Sequence, residues 1–326
     1  MKKNYNELII SKISSLIPSH IKIADFLMDT LDIGREAAYR RIRNEVSFTL
    51  DEIAKLALNL NFSVDEIISG NNSTGVLLIK SFATTDGSLT SVMYNVMKDY
   101  CRFITHYDES DTIEIVVAAN QLLFLFFTNN LTILRFSYYK WIRQNNEIPA
   151  KVKFSEVELP DEIVEMAEKI RQNHQNIHKL TLIFDEGIFL SLFKEIQHFY
   201  FRKLITEQDL SLLKQALADF LDFIERLSQE GKSPVGAEGL VYLSSLSIEN
   251  NQMFIKHRES ALSAFFISPI VPLLVTQPNV VSLHRKWLDS LKKHSVLIAA
   301  SNEIYQTEFF MKQYEYLEKL GNEILK

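Results

Sequence analysis

Apolar residues recur at helical spacing from the start of the chain. Between Tyr5 and Ile17 the positions Leu8, Ile9, Ile13, Leu16 and Ile17 recur on one side of a helix, and Pro18 ends the run. The next stretch, HIKIADFLMDTLDI, sets Ile23, Phe26, Leu27 and Leu31 on one face and breaks near Asp32–Gly34. A short basic segment follows, REAAYRRIRNE, with Ala38 and Ile42 one turn apart, so that one side can pack while the other carries arginines. Thr49 and Glu52 form a capping box ahead of a stripe of Leu50, Ile53, Leu56, Ala57 and Leu60. A second box, Ser63 with Glu66, opens a fifth short helix that ends near Ser69–Gly70.

The small polar run GNNSTG at 70–75 marks a break in this pattern. Beyond it no glycine occurs between Gly87 and Gly187 and no proline between Ser88 and Ile148, which favours long helices, the first over Leu89–Ile104. Thr112–Ala119 is rich in β-branched residues and suits a strand, while Leu122–Trp141 is dense in Leu, Phe and Tyr and suits a buried helix; periodicity leaves both open. Helices are predicted over Pro160–His174, Gly187–Leu204 and Glu207–Gln229, together suggesting an antiparallel bundle. After a Gly-rich loop at 231–239, Leu240–Ile248 and Gln252–Lys256 read as a hairpin, with Leu262–Ile267 a third strand. Val280–Lys293 and Glu303–Ile324 close the chain as helices. The whole predicts a mainly α fold: a five-helix head over residues 1–70, a linker at 71–78, and a larger helical domain over 79–326 carrying a small antiparallel β element.

Composition narrows the possible functions. Of 326 residues 47% are hydrophobic and 23% charged, a globular balance, and the net charge of −6 supplies no overall attraction for nucleic acid. Locally the balance differs. Residues 1–70 hold 9 basic and 10 acidic side chains, yet residues 35–43 hold four arginines against one acid. Positive charge is therefore concentrated on one predicted helix, where guanidinium forks could pair with guanine or with phosphate oxygens. Cys101 is the only cysteine, which excludes an internal disulfide and a cysteine zinc cluster. The N-terminus lacks the unbroken apolar run of a signal peptide, and the apolar stretches at 115–127 and 264–275 are too short for a bilayer, so a cytoplasmic protein with no membrane contact is expected.

The stretch LDIGREAAYRRIRNE, the capped TLDEIAKLALNLN and the closing NFSVDEII resemble the lambda-repressor-like helix-turn-helix regulators, in particular a bacterial branch with a long C-terminal domain. Fainter similarity continues through LRFSYYKWIRQ and KHSVLIAASNEIYQTEFF. The resemblance implies a transcriptional regulator that binds double-stranded DNA, with Arg35, Glu36 and Tyr39 opening the recognition helix and Arg40, Arg43 and Asn44 nearer phosphate. Gly34 stands where such regulators often carry a capping serine. Such heads commonly pair, so a homodimer is expected, with the C-terminal domain supplying dimerisation, sensing of a small-molecule or peptide effector, or both.

Other readings carry less support. Arg41, close to Glu45, could serve structure alone. His174 and His178 are spaced as two metal ligands on a helix face, but the surrounding RQNHQNIHK offers no matching carboxylate, and no metal or cofactor is expected. Gly231-Lys232-Ser233 lacks the earlier glycine of a phosphate loop, since Arg226 stands there, and follows a predicted helix rather than a strand. No nucleophile-elbow pattern occurs, so an enzyme is not expected. The aromatic run LLFLFFTNNLTILRFSYYKW reads as core or dimer interface, with a ligand pocket as the alternative. A helical scaffold that docks proteins or peptides is the second functional reading.

Overall fold

The computed structural model describes residues 4–17, 21–60, 62, 64, 67, 88–105, 112–233 and 236–325. The chain divides into two compact units, Met1–Leu78 and Ile79–Lys326. The predicted linker lies outside the described residues, and of the predicted fifth helix only Val64 and Ile67 are described, both helical.

The first unit is built from α1 (Tyr5–Leu16), α2 (Ile23–Leu31), α3 (Arg35–Ile42) and α4 (Leu50–Leu60). Their apolar stripes converge on a core of Ile9, Ile13, Leu27, Leu31, Ala38 and Leu56, closed by Phe48, Phe62 and Ile67. Burial of these faces is what holds such short helices, since segments of this length are marginal alone.

The second unit corrects the expected fold class. Instead of a helical bundle with a small antiparallel β element, the chain forms a seven-stranded mixed sheet among the described residues. Its strands are β1 (Ile113–Ala119), β2 (Ile177–Phe184), β3 (Glu238–Ser244), β4 (Gln252–His257), β5 (Ser260–Phe266), β6 (Pro272–Val275) and β7 (Ser295–Ile298), in the order β6-β5-β4-β1-β2-β3-β7. The centre is parallel, β1 against β2 and β2 against β3, and both flanks are antiparallel. The helices are α5 (Leu89–Phe103), α6 (Leu131–Gln144), α7 (Asp161–Asn173), α8 (Leu190–Phe201), α9 (Glu207–Glu230), α10 (Pro278–Lys293) and α11 (Glu303–Lys319).

The layering explains the sequence. One face of β1 and β2, with Ile115, Val117, Leu182 and Phe184, joins a core filled by α5 to α9 and α11 and by stacked aromatics such as Tyr139, Phe154 and Phe199. The other face, with Val116, Ala118, Ile183 and Phe254, is covered by Val281, Leu288 and Leu291 of α10. A parallel strand sandwiched this way is apolar on both faces and has no alternation to betray it. The expected hairpin between 240–248 and 252–256 does not form: β3 and β4 are separated by β1 and β2, and the tight hairpin is β4–β5 through Arg258. The Leu122–Trp141 segment divides at Asn130, whose side chain caps α6 after a 3-10 turn at Phe124–Asn129.

Polar ties hold α10 on its face of the sheet. His284 is buried between Ser263 Oγ (2.7 Å from Nδ1) and Gln252 Oε1 (3.0 Å from Nε2). A carbonyl oxygen only accepts, so Nε2 carries the proton and Nδ1 accepts from the Ser263 hydroxyl. Ser263 is fully buried, and the pair braces helix against strand. Arg285 reaches Glu114 on β1 at 2.9 Å.

Candidate nucleic-acid interface

Between α2 and α3 the chain turns through Asp32 in the left-handed region (φ 54°) and Gly34, the N-cap of α3, whose backbone is extended. No side chain caps α3, so its first amide N–H groups carry the positive end of a short helix with no protein acceptor from the cap. Ala38 is fully buried and fixes the rotation of α3 about its axis. At the helical repeat, Arg35, Glu36, Tyr39, Arg40 and Arg43 then lie on an arc of about 140° on the side away from Ala38. Tyr39 is half-buried and the other four are exposed.

Within this arc the side chains already interact. The Arg35 guanidinium sits 5.9 Å from the centroid of the Tyr39 ring. Arg43 pairs with Glu45 at 2.7 Å and lies 3.5 Å from Glu36, and Arg40 approaches Glu45 at 3.8 Å. The Glu45 hydrogen bonds raise the Arg43 pKa, and the same bonds hold the Glu45 carboxyl below its usual range. Glu45 thus occupies the two arginines that the resemblance assigns to phosphate, and a bound phosphate would have to displace it.

Two residues of the arginine segment have structural partners. Arg41 points away from the exposed arc and makes a bidentate pair with Glu52, at 2.6 and 3.1 Å, while Nη1 donates to the Ala37 carbonyl at 3.1 Å. Its partner is therefore Glu52 on α4, not the neighbouring Glu45. Burial by itself would raise the Glu52 pKa, but Arg41 and the Thr49 amide, 2.9 Å away, outweigh it and the carboxyl stays below its usual range. The expected capping box at Thr49 and Glu52 forms, and it doubles as the anchor for α3.

Asn44, expected near phosphate, is held by α1 instead. It adopts a left-handed backbone (φ 59°), its Nδ2 donates to Glu7 at 3.2 Å, and its Oδ1 accepts from Asn6. Asn6 was not singled out by its sequence context, yet it is the buried polar centre of this region: its Nδ2 also donates to the Arg41 carbonyl and its Oδ1 accepts from the Phe48 amide. The one available signal is spacing, since Asn6 shares a helix face with Ile9, Ile10 and Ile13 where an apolar residue would be routine.

Elsewhere, His174 and His178 fall on different elements. His174 follows α7 and lies 3.3 Å from the Tyr100 hydroxyl, with burial pushing its pKa down to about 4; His178 is on β2, where Nδ1 accepts from the Ile113 amide. Among the described residues no group of three His, Cys, Asp or Glu side chains is placed to hold a metal, and no helix is long and apolar enough to cross a membrane. No family model, curated protein or solved structure matches this chain.

Proposed function

We propose that the protein is a sequence-specific DNA-binding transcriptional regulator that acts as a homodimer, with the first unit reading the operator and the second responding to an effector. The observation that carries this reading is the outward arc of α3 and its C-cap: Arg35, Tyr39, Arg40 and the capping Arg43, on a helix whose packed side is pinned by Ala38 and whose N-terminus bears no side-chain cap. Inserted in a major groove, Arg35 and Tyr39 reach base edges from the first turns, and Glu36 accepts from a cytosine amino group while repelling misplaced phosphate. Arg40 and Arg43 exchange Glu45 for phosphate oxygens, which positions the helix without reading sequence. Arg41 and Asn44 orient α3 rather than touch DNA.

The test is selection of bound sequences from a random duplex pool by the full-length protein, followed by titration of the selected site. Replacing Arg35 by alanine should cost about 1–3 kcal/mol and relax the preference at one position, whereas Arg40→Ala should weaken all sequences alike and reduce the salt slope by about one. A triple Arg35, Tyr39, Arg40 alanine variant that still binds the selected site normally overturns the assignment. Light scattering with and without the selected DNA checks the dimer.

A further inference from the structure

The parallel centre of the sheet ends in a recess. Ligands of open α/β sheets collect outside the carboxyl ends of parallel strands. β1 is the last parallel strand on its side, with β2 parallel to it on one edge and β4 antiparallel on the other, and the chain returns to start β4 only after it has completed β3. At the carboxyl end of β1 the backbone amides of Asn120 and Gln121 both donate to Asn251 Oδ1, at 3.0 and 3.2 Å, which clamps this end of β1 to the start of β4.

Above that clamp the recess lies between α6, α8 and the β5–β6 loop. Ser137, Lys140, Trp141 and Gln144 line it from α6, at spacings that share one helix face, and Glu195 and Ile270 face them from α8 and the loop. Its cavity volume is about 20 Å³, room for about one water molecule, within a larger depression of about 520 Å³ that includes solvent.

Two features of the wall ask for a ligand. The Trp141 indole N–H is buried without an acceptor, a donor that normally costs about 1–3 kcal/mol to leave unpaired. Beside it, Lys140 pairs with Glu195 at 2.6 Å, with the Lys140 side chain only 11% exposed. With Glu195 still 31% exposed, such a half-buried pair is weak as a source of stability but complementary to a ligand that carries both charges.

We propose that this recess binds a free α-amino acid with an apolar side chain. The carboxylate pairs with Lys140 Nζ, a turn of the Trp141 ring brings its covered Nε1 to one carboxylate oxygen, the ammonium pairs with Glu195, and the side chain lies on Leu122, Leu192 and Ile270. The proposal rests on the reading of the second unit as the effector-responsive part, and it names the class of effector.

The binding step can be read without DNA. Trp141 and Trp287 are the only tryptophans, so the full-length Trp287→Phe variant reports Trp141 fluorescence alone. L-leucine and L-phenylalanine should each shift its emission saturably, with acetate and isobutylamine at least about tenfold weaker because each supplies one charge. Lys140→Met and Glu195→Gln should each weaken the response at least about tenfold while their melting curves stay cooperative; a Lys140→Met/Glu195→Leu double variant, which removes both charges together, keeps this arm interpretable if either single variant fails to fold. No saturable shift with any amino acid tried means that Trp141 is served by a water, and the site is overturned. A shift that survives these substitutions overturns the assigned contacts. A parallel titration of the selected DNA with and without L-leucine separates the two readings: amino-acid binding without a change in DNA affinity supports the site and overturns its regulatory use, whereas DNA binding without any amino-acid response overturns the site alone.

Discussion

Arginines 40, 41 and 43 are neighbours of one residue type with different tasks, and geometry assigns them. Arg41 is turned toward α4 and shares a carboxylate with the Thr49 cap, so Arg41→Ala should lower the stability of the first unit by about 1–2 kcal/mol, measured by denaturant titration of the full chain. The same link has a pH signature. Because the Glu52 pKa is held below its ordinary value near 4.5, the stabilisation is fully present above that value and is lost as the pH falls through the depressed one. Arg40 and Arg43 instead share the exposed Glu45. Glu45→Gln should therefore tighten binding to the selected DNA and steepen its dependence on salt, because released arginines meet phosphate without a competing carboxylate; an unchanged slope would show that neither arginine reaches phosphate.

Helices and strands differed in how much of themselves they revealed. The predicted segments around α1 to α4 carry one packed face each, so period and caps located them within about three residues at either end. In the second unit β2 was missed because IHKLTLIF follows a polar helix end and is buried on both faces along its second half, leaving no alternation to read. β3 was recognised as extended but paired with the wrong partner, since adjacency in sequence favours a hairpin and its true neighbours, β2 and β7, lie far off along the chain. One glycine on β3 records that packing directly: a Cβ at Gly239 would overlap the Leu227 side chain of α9. Gly239→Ala should force α9 off the strand and cost about 1–3 kcal/mol, read as a lowered denaturation midpoint; no loss would mean that the helix can slide.

At the scale of the molecule, the second unit should respond to mild acid through two imidazoles, His284 buried and His174 half-buried. His174 and His284 both have pKa values pushed by burial from 6.5 down to about 4. The unfolded chain takes up these protons first, so the stabilisation is complete above pH 6.5, declines as the pH falls from 6.5 to 4, and levels off below. Melting temperatures measured across that range should fall with the pH, and His284→Gln should flatten part of the slope; equal slopes would place the acid sensitivity elsewhere.

The four described helices of the head, the charge gathered on α3 and the outward face of Arg35, Glu36, Arg40 and Arg43, with Tyr39 half-buried among them, were legible from the chain alone, because local spacing and caps decide them and only Ala38 was needed to set the phase. The engagement of Asn44 by Asn6 and Glu7, and of Arg41 by Glu52, was decided by tertiary structure, since partners 11 to 38 residues apart meet only after the helices pack. The same reason governs the larger unit. Its sheet order and the recess at the end of β1 exist only once strands separated by whole helical crossovers lie side by side, and no local pattern records which apolar run will be the neighbour of which.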